Sequence, residues 1–432
     1  MSNVLIVGGG AREHAIARAL KKSPKEINIF YCASTQNPGM DLLCKNCCVV
    51  NLSQHAAIIH FSLTHHIDFA IIGPEAVLAA GLVDDLHNAN ISCVGPTKCL
   101  AQIESSKGFA RDLMLEYHID GAPHYNRFLK FNRDEIKNYL QFLENNYVIK
   151  ADGLCGGKGV KVSGEHLFSI EDALDYCCEI NGPLVIEEKC RGVEFSLISF
   201  TDGETLRHFP PVQDHKRAFE NDIGPNTGGM GSYSLDNHLL PFLSEKHVRA
   251  AQAINETTLK ALQNKCQQRY CGFFYGGFML TKNGVKVIEF NARLGDPEAI
   301  NLLSILETDF LQLCESAILK KLSTIKLTCF HESTVVKYVV PKGYPEKTLE
   351  APIEIDNISN QHYFGAVKTV DNQFIMTGSR AIAVLGKGKT LLEAEKQAEK
   401  LASQIKGPVF YRQDIGTAAL VDRYARMSSE CI

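Results

Sequence analysis

Short, continuous apolar runs alternate with longer mixed segments through the first hundred residues. Val4-Leu5-Ile6-Val7, Phe69-Ala70-Ile71-Ile72 and the stretches 27–31 and 91–94 have the length and character of buried parallel strands. Between them lie helix-like segments, the first opening at Arg12-Glu13-His14 and reaching about Lys22. Such alternation predicts a doubly wound parallel sheet, with ligands expected at the carboxyl ends of its strands. Gly8-Gly9-Gly10, Gly73-Pro74 and Gly95-Pro96 all fall at those ends.

The register changes around Pro123. A strand over 147–150, the segment Ala151 to Gly159 and a strand over 160–162 read as a glycine-rich hairpin. Further strands are predicted over 184–188 and 271–280. Asn283-Gly284 is a hairpin-turn signal leading into a strand over 287–291. Alternation along that strand places Ile288 and Phe290 on an apolar face and Glu289, Asn291 and Arg293 on the other. Asp296 reads as an N-cap, with Pro297 opening a helix over 298–322. Beyond it, strands over 335–340, 361–368 and 381–385 and an amphipathic helix over 391–405 predict a small α+β unit.

Composition narrows the class. The 432 residues are 45% hydrophobic and 22% charged, as in ordinary globular chains of two to four domains. A net charge of −4 supplies no basic field, so neither nucleic acid nor membrane is an expected partner. The 15 cysteines are odd in number and irregularly spaced, which argues against a secreted disulfide framework and for a reducing cytoplasm. Cys44, Cys47 and Cys48 cluster without the further ligands a closed zinc site needs. The N-terminal residues lack the pattern of a signal peptide, and no apolar run is long enough to span a membrane.

Candidate chemistry follows from side-chain type and spacing. Glu289 and Asn291 offer two hard oxygens suited to Mg²⁺, and Arg293 beside them can pair with a carboxylate or phosphate. The turn Gly8–Glu13 has the strand–glycine–helix form of an anion site. A dinucleotide fingerprint is disfavoured, because Glu13 stands where a third glycine is required and no carboxylate ends the second strand. Lys107 lies in the first turn of a helix, where an anionic ligand would relieve its conflict with the helix dipole. The hairpin loop fails the Walker pattern, yet Gly153, Gly156, Gly157 and Gly159 can close on phosphate oxygens, with Lys150 and Lys158 bracketing them. Such a loop is expected to be a mobile lid. Glu187, Glu188 and Glu194 could accept hydrogen bonds from ribose hydroxyls or an adenine amino group. Asp214-His215-Lys216-Arg217 and Gly224 to Gly231 form a loop too long to be a simple connector.

The combination of Gly10-Ala11-Arg12-Glu13-His14-Ala15, Lys150-Ala151-Asp152-Gly153 with Gly156 to Gly159, Asp214 to Arg217, Gly224 to Gly231 and Glu289 to Glu298 resembles the phosphoribosylamine–glycine ligase family of the ATP-grasp superfamily. The resemblance runs from Val4 to about Ile415. It departs from the family pattern at Ala11, Leu294 and Ile300, where glycine, phenylalanine and glutamine or methionine are usual. It implies an N-terminal Rossmann-like domain over 1–103, an ATP-grasp domain over 104–325 with a lid at about 124–190, and a C-terminal α+β domain over 326–432. It implies ligation of glycine to 5-phosphoribosylamine through glycyl phosphate, by a monomer or homodimer. ATP would be held by Lys107, Lys150, Gly156, Gly157, Lys158, Gly159, Glu187, Glu188 and Glu194, and Mg²⁺ or Mn²⁺ by Glu289 and Asn291. Gly8, Gly10, Arg12, Glu13, Asp214, Lys216, Arg293, Gly295 and Asp296 would face the substrates, with Arg293, Lys158 and Asp214 catalytic. Two other readings stay open: a ligase for a different acid and amine, and a non-catalytic nucleotide-binding module.

Overall fold

The computed structural model describes residues 1–156, 159–347 and 349–431. It begins with β1 (Ser2–Val7), α1 (Ala11–Lys21), β2 (Ile27–Ala33), α2 (Pro38–Asp41), β3 (Asn46–Val49) and α3 (His55–Thr64). β4 (Phe69–Ile72), α4 (Glu75–Ala80), α5 (Leu82–Asn88) and β5 (Ser92–Val94) complete this part. The strands lie in the order β3-β2-β1-β4-β5, and every pair is parallel. Val4 to Val7 are fully buried, which is why this central strand shows no polar alternation.

α6 (Gln102–Ser105) and α7 (Lys107–Glu116) follow, and the Ser106 hydroxyl caps α7 by accepting from the Phe109 N–H. Next come β6 (Tyr125–Phe128), α8 (Arg133–Phe142), β7 (Tyr147–Ala151), β8 (Val160–Val162), α9 (Ile170–Ile180) and β9 (Leu184–Glu188). Their antiparallel sheet β6-β9-β7-β8 and two helices enclose a separate core, with Phe128, Ile136, Tyr147, Leu174 and Ile186 inside. The expected hairpin over 147–162 is therefore part of a unit with its own core.

The next layer holds β10 (Val193–Thr201), β11 (Leu206–His208), β12 (Gln213–Asp214), β13 (Arg217–Phe219), β14 (Ile223–Asn226), β15 (Gly231–Ser234), α10 (Glu245–Cys266), β16 (Gly272–Thr281) and β17 (Gly284–Asn291). Asn283-Gly284 makes the expected β16–β17 turn, with Gly284 at φ +96°. A bulge then changes the face pattern: Gly277 pairs with Glu289 but Phe278 pairs with Val287, leaving Ile288 as the extra residue. Val287 and Phe290 are buried, whereas Ile288 is half-buried and lines a cleft, so Ile288 and Phe290 do not share the apolar face that simple alternation predicts.

The single helix expected over 298–322 is two, α11 (Glu298–Ile305) and α12 (Phe310–Ile318). Leu306 turns extended, and Asp309 starts α12 by accepting from the Leu311 N–H. The last part contains β18 (Ser333–Pro341), β19 (Glu350–Ile355), β20 (His362–Phe364), β21 (Val367–Val370), β22 (Gln373–Thr377) and β23 (Ile382–Gly388). α13 (Leu391–Ser403), β24 (Ile405–Lys406), β25 (Val409–Phe410) and α14 (Ala418–Cys431) close the chain. The strand expected over 361–368 is two, because Gly365 and Ala366 turn aside to bond Ala381 and Arg380.

One sheet, β12-β15-β18-β23-β20, combines strands from the 213–234 segment with strands from the C-terminal part. The long loop is thus tied to C-terminal backbone by the pairs Gly231↔Lys337 to Ser234↔Thr334. A disulfide, Cys99–Cys266, joins the stretch after β5 to the end of α10. No helix among the described residues is long and apolar enough to cross a membrane.

Candidate active site

The lid side is built on Lys150 and Glu187, which neighbouring strands β7 and β9 aim at one buried spot. The Glu187 carboxylate receives Arg111 Nε at 2.7 Å, Arg111 Nη2 at 3.1 Å and Lys150 Nζ at 2.7 Å. Both its oxygens are engaged, so it holds the lysine and does not present itself to a ribose or adenine. Burial alone would raise the Glu187 carboxyl; Arg111 and then Lys150 outweigh it and hold it down at about 2. The β17 bulge helps here, because Arg111 Nη2 and Lys150 Nζ also donate to the Ile288 carbonyl, at 2.9 and 3.1 Å. Two cations face one carboxylate. Burial, relieved in part by Glu187 and reinforced by Arg111, depresses the Lys150 ammonium, so an incoming anion would stabilise it.

Lys107 Nζ donates to the Gly153 carbonyl at 2.8 Å, joining the start of α7 to the lid loop. Gly153 and Gly156 have positive φ, and a Cβ on either would meet nothing within 4 Å among the described residues, so these glycines serve backbone conformation. Gly157 and Lys158 lie outside the described residues. The Glu188 carboxylate accepts the His124 N–H at 3.1 Å at the base of the lid, and Glu194 is exposed.

Glu289 and Lys216 meet across the cleft. Lys216 Nζ lies 3.4 Å from Glu289 Oε1 and 3.6 Å from Glu194 Oε2. Lys216 is the main reason that the Glu289 carboxyl, partly withdrawn from water, sits at about 2; Lys150, Lys107 and Arg293 contribute. A carboxylate kept ionised among cations, with the Asn291 amide two residues on, suits a divalent ion. Among the described residues no three His, Cys, Asp or Glu side chains converge as a complete metal site, so the remaining ligands there would be phosphate oxygens and water.

Arg293 is more committed than its position suggests. Its Nε is 3.2 Å from Glu75 and its Nη2 is 2.9 Å from Glu104, while Nη1 donates to the Leu294 carbonyl at 3.2 Å. Burial would lower the guanidinium, but Glu104 and Glu75 raise it above its ordinary value. A free bidentate clamp on substrate, expected from the sequence, is therefore not what the structure shows. Glu75 and Glu104 were not among the predicted site residues. Glu75 follows Gly73-Pro74 at the carboxyl end of β4, a position that could have flagged it.

The glycine turn differs too. The Gly10 N–H donates to Glu13 Oε2 at 2.7 Å, and a Cβ on Gly8 or Gly73 would strike the Glu13 side chain. The chain's own carboxylate thus fills the turn predicted to receive an anion. Arg12 reaches from it to Glu13 Oε1 at 2.7 Å and to the Leu294 carbonyl at 3.3 Å. The turn docks on the bend after β17 that carries Arg293.

Asp214, on β12, is half-buried, and its Oδ1 is shut away from solvent with no hydrogen-bond partner among the described residues. Burial, then Glu298, push its carboxyl well above the ordinary range, against the pull of Lys216 and Arg380. Asp214, Lys216, Glu194, Tyr275, Gly277 and Ile288 line one cleft. Gly295 gives room to Glu298, whose Oε1 accepts the hydroxyls of Ser196 and Tyr275 at 3.0 and 2.9 Å. Asp296 does not cap the helix, since Pro297 holds the N-cap position. Its oxygens take the Tyr338 hydroxyl at 2.6 Å and Arg380 Nη2 at 2.9 Å, so it is already occupied and faces the C-terminal sheet. A cavity of about 540 Å³ between α7 and β6 contains none of the predicted site residues.

Comparison with known proteins gives one consistent pattern. Residues 2–104 match the phosphoribosylglycinamide synthetase N domain, 105–299 its ATP-grasp (A) domain and 334–418 its C domain. The chain is 43% identical over 442 residues to phosphoribosylamine–glycine ligase of Methanocaldococcus jannaschii, covering 99% of both chains. It is 44% identical over 420 residues to the enzyme of the same name from Methanocorpusculum labreanum, covering 96% of each. The crystal structure of phosphoribosylamine–glycine ligase from Thermotoga maritima superposes with a TM-score of 0.81 at 25% identity, over 95% of this chain and 99% of that one. Biotin carboxylase from Campylobacter jejuni shares the fold alone, with a TM-score of 0.67 at 15% identity over 99% of this chain and 95% of that one.

Proposed function

The chain belongs to the phosphoribosylglycinamide synthetase family, and from that premise we propose how its residues divide the work of the ligase. The enzyme is ATP-dependent and ADP-forming: it joins glycine to 5-phosphoribosylamine in purine synthesis. The γ-phosphoryl group passes to the glycine carboxylate, and the amine of phosphoribosylamine displaces phosphate from the resulting glycyl phosphate. Such transfer depends on positioning and charge neutralisation more than on a nucleophilic side chain.

Lys107 and Lys150 hold the phosphates of ATP under the lid loop, with Lys158 expected to join them. Arg111 and Glu187 fix Lys150. Glu289 and Asn291 hold Mg²⁺ or Mn²⁺, which neutralises charge on the transferring group when bound. Asp214, with a buried and unpartnered Oδ1, takes the ammonium group of glycine, and Lys216 acts on both it and Glu289. Arg293, already braced by Glu75 and Glu104, offers its remaining N–H to the reacting carboxylate. Arg12 and the Gly8–Glu13 turn wall the side toward phosphoribosylamine, with Gly295 leaving room beside Tyr275.

The observation that carries this reading is that Lys216, Lys150, Lys107 and Arg293 all lie near enough to act on the Glu289 carboxylate, with Lys216 also acting on Asp214. The domains divide near 103/104 and 325/326, with a lid at about 124–190; the separate lid core supports that division. The resemblance to this family implies a monomer or a homodimer. Net charge −4 argues against nucleic acid as a partner, and the largely unpaired cysteines suit the cytoplasm. ADP release measured with glycine and phosphoribosylamine, separately and together, tests the function. Full turnover is expected only with both; turnover with a different amino acid and none with glycine would favour another ligase of this superfamily.

A further inference from the structure

We propose that Arg380, contributed by the C-terminal part of the chain, is a positioning residue for the glycine end of the active site. The proposal rests on the reading of Asp214 as the ammonium acceptor and extends it. Arg380 Nη1 donates to the carbonyls of Gly228, Gly229 and Asp296 at 2.6, 3.0 and 2.8 Å, and Nη2 pairs with Asp296 Oδ2 at 2.9 Å. Its guanidinium lies 4.5 Å from the centre of the Tyr338 ring, and the Tyr338 hydroxyl donates to the other oxygen of Asp296. One side chain thus ties together the 228–229 loop, the turn before α11 and the C-terminal sheet.

The two loop glycines show what this arrangement serves. A Cβ on Gly228 would lie 3.0 Å from Arg380 Cζ, so any side chain there would press on the guanidinium. Gly229, at φ +112°, would place a Cβ 2.7 Å from Asp214 Oδ1 and 2.7 Å from the Pro297 ring. Gly229 therefore packs directly on the carboxylate oxygen that lacks a partner. The neighbouring backbone completes the frame: Thr227 N–H donates to the Lys216 carbonyl at 2.7 Å and Met230 N–H to the His215 carbonyl at 2.7 Å. Arg380 fixes Gly228 and Gly229; Gly229 fixes Asp214; Asp214 receives the substrate. Arg380 touches neither glycine nor nucleotide, and its effect is confined to the geometry of the Asp214 pocket.

Steady-state ADP release from the full-length enzyme tests this with Arg380→Met, Arg380→Lys and Asp214→Asn. Arg380→Met is expected to raise the KM for glycine about tenfold or more while that for ATP stays within about twofold. Guanidinium ion added at millimolar concentration should restore part of the glycine affinity, which a loss of packing alone would not allow. If Arg380→Met fails to fold, Arg380→Lys carries the same comparison, since it keeps a cation but loses the fork that spans four acceptors. An unchanged glycine KM, or a parallel rise for glycine and ATP without rescue, overturns the proposal. If Asp214→Asn leaves the glycine KM unchanged, the underlying reading of Asp214 has failed; if it raises that KM and the Arg380 variants do not, only the role of Arg380 has.

Discussion

Lys216 sits 3.4 Å from Glu289, the residue that follows the β17 bulge at Ile288. The ammonium group is positive charge placed beside the carboxylate that would hold a divalent ion. Glu289 is stabilised in its charged form and needs no deprotonation before metal binds.

Replacement of that carboxylate should therefore harm chemistry far more than folding. Its side chain is 39% exposed, so Glu289→Ala removes little buried contact. Turnover at limiting Mg²⁺ should fall by about a hundredfold or more while thermal unfolding changes little. Near-normal turnover at limiting Mg²⁺ would remove Glu289 from the site.

The Arg111–Glu187–Lys150 cluster predicts a particular response to acid. Glu187 titrates at about 2 in the folded chain against an ordinary value of 4.5. Its folded value is depressed, so its contribution to stability is complete above about pH 4.5 and is lost as pH falls toward 2. Denaturant unfolding between pH 5 and pH 3 should show wild-type stability falling more steeply than that of Glu187→Gln, by up to about 1.4 kcal/mol per pH unit. Parallel slopes would contradict the assignment. At neutral pH the variant should be the less stable, because it leaves two buried cations without a carboxylate.

Much of this architecture is legible in local pattern. The buried strands at Val4 and Phe69, the Asn283-Gly284 turn and the hairpin at Lys150 all follow from periodicity and turn chemistry. What pattern reasoning misses is what side chains do across long sequence distances. Arg293 meets Glu75 and Glu104, 218 and 189 residues away, and nothing in the 287–298 stretch announces that its guanidinium is spoken for. Glu187 reads as an exposed acid at a strand end until Arg111 is seen beneath it. Ile288 leaves the expected face because a bulge shifts the register by one residue, which alternation cannot register. Arg380 lies in a segment with no local sign of chemistry, and only the sheet shared between 213–234 and the C-terminal strands brings it to the site.

Gly229→Ala should be a severe substitution for its size. The left-handed backbone and the contact with Asp214 Oδ1 both oppose a methyl group. kcat/KM for glycine should drop by about a hundredfold, corresponding to about 3 kcal/mol. Gly284→Ala, at the β16–β17 turn with open space around it, should leave glycine kinetics unchanged and cost only stability. Equal effects of the two substitutions on kcat/KM would show that Gly229 does not shape the substrate pocket.

The central claim is that glycine is activated as its acyl phosphate between the lysine side and the Glu289 side of one cleft. An unactivated carboxylate would have to expel oxide, whereas phosphorylation makes that oxygen part of a leaving phosphate. The direct test is glycine labelled with ¹⁸O in its carboxylate, turned over with ATP and phosphoribosylamine, with the products examined by mass spectrometry. One labelled oxygen is expected in inorganic phosphate, with ADP as the nucleotide product. Label in AMP, with pyrophosphate released, would show adenylation and contradict it.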